Sequence, residues 1–146
     1  MKAFLTLIAI GLWYLIAPAR AEVLPIQSGF SPSILQVDDL RLVFTFRILR
    51  FSDGTAIKVY TLPQNHRTTK EFSTTYLGMT ARRWWELLEA QEATGRKNLH
   101  RVVPDERAMY TAISSQANSV GFVDEYILVN DGGDGGIVVI ERKPRH

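Results

Sequence analysis

The order of segments predicts an α/β domain, a mixed sheet flanked by helices. Short runs rich in β-branched and aromatic residues alternate with longer stretches whose apolar side chains recur at helical spacing. Glycine, proline and Ser-Asp-Gly punctuation falls between them. The length suits one core: 146 residues in all, or 125 once residues 1–21 are set aside as an export segment.

Those first residues carry a secretory signal in order. Lys2 is the positive start, Ala3 to Ala17 is an apolar run broken only by Thr6 and Gly11, and Ala19-Arg20-Ala21 supplies the small residues of a cleavage site. The run is shorter than the roughly 20 residues that span a bilayer. The expectation is therefore a cleaved signal peptide over 1–21, a domain over 22–146, a periplasmic location and no stable membrane span after cleavage.

From residue 22 the elements follow in sequence. Val23 to Ile26 reads as a brief strand. Val37, Leu40, Val43, Phe44 and Ile48 fall near helical spacing behind Asp38-Asp39, acids at the favourable end of a helix. A strand over Val43–Phe46 is the competing reading. Ser52-Asp53-Gly54-Thr55 is a turn, and Ala56 to Leu62 alternates as a strand. His66 to Leu77 is a helix terminated by Gly78. Thr80 caps the next one, which runs to Ala93 and stops at Gly95. Its buried stripe is Trp84, Leu87, Leu88 and Gln91, and Arg82, Arg83, Glu86 and Glu89 face outward. The Trp84-Trp85 pair is read as core packing in preference to ligand stacking. Arg101–Val103 is a short strand, and a third helix runs from Pro104 or Asp105 to Gln116 on the apolar face Ala108, Met109, Ala112 and Ile113. Ser119–Val123, Ile127–Val129 and Ile137–Ile140 read as strands, with Asn130–Gly136 as a glycine-rich hairpin connection before a basic tail.

Composition removes several classes of function. The chain has 17 Lys+Arg and 15 Asp+Glu, but Lys2 and Arg20 lie in the export segment and no acid does, so the rest is neutral with 15 of each. A neutral domain with dispersed charge lacks the footprint of a nucleic-acid binder. There is no cysteine, hence neither disulfide nor thiolate metal site. His66, His100 and His146 show no metal-ligand spacing and read as surface or capping residues. There is no G-x-S-x-G elbow, and Asp131 to Gly136 fails the register of a calcium loop. The expectation is a non-catalytic protein without cofactor or metal.

The candidate binding site is Arg67, Thr68 and Thr69, where a loop enters a helix. Backbone N–H groups at a helix start favour an anion, two hydroxyls add donors, and a guanidinium can grip an oxyanion with paired hydrogen bonds. Phosphate or sulfate fits that chemistry. The plainer alternative is that Thr68 or Thr69 caps the helix.

Several segments resemble the substrate-binding proteins of phosphate ABC transporters. Val37-Asp38-Asp39-Leu40-Arg41-Leu42-Val43-Phe44 is similar to that family's short helix ending in Ile-Phe. Phe51-Ser52-Asp53-Gly54-Thr55-Ala56-Ile57-Lys58-Val59 is similar to its Trp-x-Asp-Gly-x-x-Ile-x-Val segment. Arg67 to Phe72 resembles the stretch leading into its next helix, and Ser119-Val120-Gly121-Phe122-Val123 its Ala-Ile-Gly-Tyr-Val strand. The resemblance runs from about residue 34 to residue 126 and implies a single lobe of the type II periplasmic-binding-protein superfamily. Of the family's Arg-x-x-x-Ser-Gly-Thr site, Thr68 matches the final Thr, whereas Leu62, His66 and Arg67 stand for Arg, Ser and Gly. Two functions stay open. One is a solute-binding-like protein recognising a small oxyanion, its donor shell completed by self-association with a second subunit. The other is a ligand-free interaction or adaptor protein with a partner in a cell-envelope complex.

Overall fold

The computed structural model describes residues 22–96, 99–131 and 136–141. Residues 1–21, which the expected signal peptide covers, the middle of the glycine-rich run and the basic tail, with His146, lie outside the described residues.

Five strands form one mixed sheet: β1 (Val23–Ser28), β2 (Lys58–Thr61), β3 (His100–Val102), β4 (Ser119–Asp124) and β5 (Ile137–Val139), in the spatial order β3-β2-β4-β1-β5. β2 runs parallel to both β3 and β4, while β1 lies antiparallel between β4 and β5. The helices are α1 (Leu40–Phe44), α2 (Arg67–Phe72), α3 (Ala81–Ala93), α4 (Glu106–Ser115) and α5 (Glu125–Asp131). A 3-10 turn, Val37–Asp39, leads into α1, and a π-helical stretch, Ser73–Leu77, extends α2. The predicted α/β architecture is the observed one.

Local chemistry explains most boundaries. Thr80 accepts the Arg83 N–H at 3.1 Å, so α3 starts where its cap was read. Asp105 accepts the Ala108 N–H at 2.8 Å and starts α4. Asp53 Oδ1 accepts the Thr55 N–H at 2.9 Å in the turn before β2, and Gly54 supplies the positive φ of 90°. The helix reading holds over Val37–Phe44 but not as far as Ile48, because Phe46, at φ 60°, turns the chain away.

β4 is buried on both faces, as a strand between helices must be. On one side Phe122 stacks on Phe72 at 4.2 Å, and Phe44 meets Phe72 edge-on at 4.8 Å. Trp84 closes that layer, fully buried, with its indole N–H on the Phe44 carbonyl at 2.9 Å. Trp84 is thus a core residue, as read. On the other side Gly121 lets α4 approach: a Cβ there would sit 2.5 Å from Met109 Sδ and 3.2 Å from Ile113 Cδ1. Both side chains are fully buried and have little room to yield. Gly121→Ala should therefore destabilise the protein by about 1–3 kcal/mol, read as a lower urea midpoint at unchanged m-value.

One predicted strand is not a strand. Ile127–Val129 lies within α5. Both edges of β4 are taken, by β2 and by β1, so a chain turning back after Asp124 finds no edge to pair with. Asp124 Oδ1 instead accepts the Tyr126 N–H at 3.0 Å, and Asn130 Nδ2 donates to the Tyr126 carbonyl at 2.9 Å. Helix formation overrides the β-branched composition. Of the Asn130–Gly136 run, residues 132–135 lie outside the described residues; Asn130 and Asp131 belong to α5, and β5 beyond the run joins β1, with the Gly29 N–H donating to the Gly136 carbonyl at 2.7 Å.

Candidate functional site

β2 leads through α2 and α3 to β3 on one side of the sheet, and β3 leads through α4 to β4 on the other. Chain order therefore switches direction at the β2–β4 pair. The carboxyl ends of parallel strands at such a switch point are where open α/β sheets place ligands. The segment 66–69 follows β2 at that end, and Asp124 terminates β4 there.

The helix start is organised by His66. Its backbone is extended, at φ −67° and ψ 136°, and its Nδ1 accepts the Thr68 N–H at 3.1 Å. One histidine is thus a cap, as read, but it caps the very helix for which Thr68 or Thr69 was the expected cap. Thr69 is fully buried, its hydroxyl donating to the Pro63 carbonyl at 2.8 Å. Thr68 is also buried, and its hydroxyl donates to Glu106 Oε1 at 2.6 Å. The same oxygen accepts the Asp124 N–H at 2.9 Å. Arg67 reaches over the surface: Nη2 lies 3.2 Å from Asp124 Oδ2 and Nε 3.6 Å from Glu71 Oε1.

Arg67, Thr68 and Thr69 thus come together at the carboxyl end of the β2–β4 pair, with both hydroxyls spent inside the protein. His66 completes the arrangement as cap, together with two carboxylates that sequence reasoning did not single out, Glu106 and Asp124. Glu106 follows Pro104-Asp105, and Asp124 follows the Ser119–Val123 run. Neither spacing points at Thr68. Electrostatically the spot resembles a filled anion site, with Glu106 standing where an oxyanion oxygen would accept two converging donors.

His100 departs from its expected surface or capping role. It is half-buried in β3, with its ring 5.9 Å from Trp85 and 6.2 Å from Phe46. Beside the helix start, an open cleft of about 370 Å³ between α2 and α3 is lined by Gln64, Asn65, Lys70, Thr74 and Thr80 to Arg82. Among the described residues no three His, Asp or Glu side chains gather as a metal site. No helix among them is long and apolar enough to cross a membrane.

No protein-family model and no curated protein matches the sequence. Solved structures do match the fold. A phosphate ABC transporter substrate-binding protein from Clostridium perfringens, solved with bound phosphate, superposes with a TM-score of 0.59 at 11% identity, over 85% of this chain and 46% of its own. An ABC-type phosphate transport receptor from Vibrio cholerae gives 0.59 at 14% identity, over 88% and 48%. PstS from Borrelia burgdorferi gives 0.59 at 12% identity, over 88% and 49%. The chain is similar to these proteins in fold, and it spans about half of their length. Its fold is that of these structures over the part it covers, in accord with the fold expected from the resemblance of its segments.

Proposed function

We propose that this chain is a non-catalytic, solute-binding-like protein of the cell envelope that works by protein contact, its anion position filled from within by Glu106. In this reading residues 1–21 direct export and residues 22–146 form the working domain. The observation that carries it is the convergence of the Thr68 hydroxyl and the Asp124 N–H on Glu106 Oε1. A free oxyanion would have to displace that carboxylate and then sit beside it. Two unit charges about 4 Å apart repel by about 4 kcal/mol at an effective dielectric near 20. Arg67 already faces Asp124 and Glu71, so it offsets little of that repulsion.

Oxyanion recognition at Arg67, Thr68 and Thr69 is the second reading. The exposed guanidinium of Arg67 and the fold likeness to a structure with bound phosphate favour it. In that case a second copy of the chain completes the shell. Titration calorimetry with phosphate and with sulfate at millimolar concentration separates the two. The contact reading expects no binding heat. Heat with either anion that disappears in Arg67→Ala would replace it with the second.

A further inference from the structure

β3 is the sheet's outermost strand on the β2 side and only three residues long, so pairing alone holds it weakly. Its first residue, His100, pairs with Val59 of β2, and just beyond it the Val103 N–H donates to the Thr61 carbonyl at 2.9 Å. Leu99 and Val103 pack against the core on either side of the strand, and within it the imidazole ring is the inward contact. It lies between Phe46 and Trp85, edge-on to the indole at 79°. Its Nδ1 is buried and has no hydrogen-bond partner among the described residues. Phe46, itself in the left-handed region at φ 60°, has its carbonyl occupied by Arg96 Nη1 at 3.3 Å.

That environment suits a neutral ring and not a cation. Protonation places a hydrogen on both ring nitrogens, and a charged, buried N–H without an acceptor is strongly disfavoured. Two charged groups lie near it. Glu92, on α3, favours the cation. Arg96, beyond the end of the same helix, is engaged with the Phe46 carbonyl. β2 contributes the apolar Val59 opposite His100, and the segment after α1 contributes Phe46. Arg101, the next residue of β3, leaves on the opposite face of the strand.

We propose that His100 is an acid-sensitive latch: neutral, it wedges β3 against Phe46, Trp85 and β2; protonated, it frees β3 and bares the pairing edge of Lys58–Thr61. The latch operates at the far side of β2 from β4 and does not depend on what the Arg67–Thr69 region binds.

The pH window follows from the direction of the shift. Burial, the larger cause, holds the His100 pKa below the ordinary imidazole value, and Glu92 only partly opposes it. A ring freed by opening titrates near the usual 6.5 or so. The opened state therefore binds more protons between the depressed folded value and about 6.5, and protection falls with pH across that interval. Above about pH 7 both states are neutral and the latch is fully held.

Hydrogen exchange of the purified chain at about pH 7.5 and about pH 5 tests this, with rates corrected for intrinsic pH dependence and β4 amides as internal reference. The expected result is a several-fold loss of protection over Arg101–Val103 at the lower pH with β4 unchanged. His100→Phe and His100→Gln should each make β3 protection independent of pH. Glu92→Gln, which leaves the ring and its packing in place, should deepen the loss and extend it to lower pH. Unchanged β3 protection in the wild type, or an equal fall in the folded His100 variants, would overturn the latch.

Discussion

Trp84→Ala is expected to remove about 3–5 kcal/mol of stability, a large share of the 5–15 kcal/mol or so that a native domain holds. The side chain is fully buried. Its ring centroid lies 5.9 Å from Phe44, 5.8 Å from Phe72, 6.0 Å from Phe122 and 4.9 Å from Trp85. It therefore ties α1, α2 and α3 to the central strand β4 through one aromatic layer. Truncation leaves a void that rigid neighbouring rings cannot collapse into, and it removes the indole donor from the buried Phe44 carbonyl. Trp84→Phe separates the two contributions, since it keeps much of the ring and loses the donor. It should cost about 1–3 kcal/mol, the usual penalty for an orphaned buried group. Urea unfolding followed by circular dichroism measures both. A loss in Trp84→Ala below about 1 kcal/mol would mean that this layer does not hold the sheet and helices together.

Glu106→Ala should cost about 2–4 kcal/mol, because hydrogen bonds to a charged group contribute roughly 1.5–3 kcal/mol each and the Glu106 side chain keeps some contact with water. The loss comes mainly from what remains behind. The Thr68 hydroxyl is buried and would lose its acceptor, and so would the Asp124 N–H. A further few tenths of a kcal/mol goes with the negative charge in the first turn of α4. Glu106→Gln retains an acceptor oxygen of the same reach and should lose less than half as much. In a double-mutant cycle with Thr68→Val, a coupling of about 0.5–3 kcal/mol is expected. Additive losses would show that the two side chains act independently, and Glu106 could then not be regarded as the occupant of the anion position.

The elements most readable in advance were those whose signals are local. Thr80, Asp53 and Gly78 act on backbone groups within a few residues of themselves, so their consequences are written beside them in the chain. The stripe of α3 was legible because helical spacing puts Trp84 and Leu88 on one face whatever that face meets. Ile127–Val129 was misread for the complementary reason. Its residues suit a strand, but a strand needs a partner edge, and only the sheet order reveals that β4 has none left. His100 was placed at the surface because nothing near it in the chain announces Phe46 and Trp85.

The candidate site divides along the same line. Arg67, Thr68 and Thr69 at a helix start could be named from neighbouring residues, since capping and donor geometry act over one turn. What those donors face could not. Thr68 meets Glu106 across 38 positions of sequence, and Arg67 meets Asp124 across 57. Both contacts exist only because β2 and β4 lie side by side, which brings the start of α4 and the end of β4 against the start of α2. The chain by itself thus specified most of the helices and strands and where donors would gather. The tertiary structure decided that a carboxylate of the same protein receives them, because contact between distant residues depends on strand order and not on local propensity.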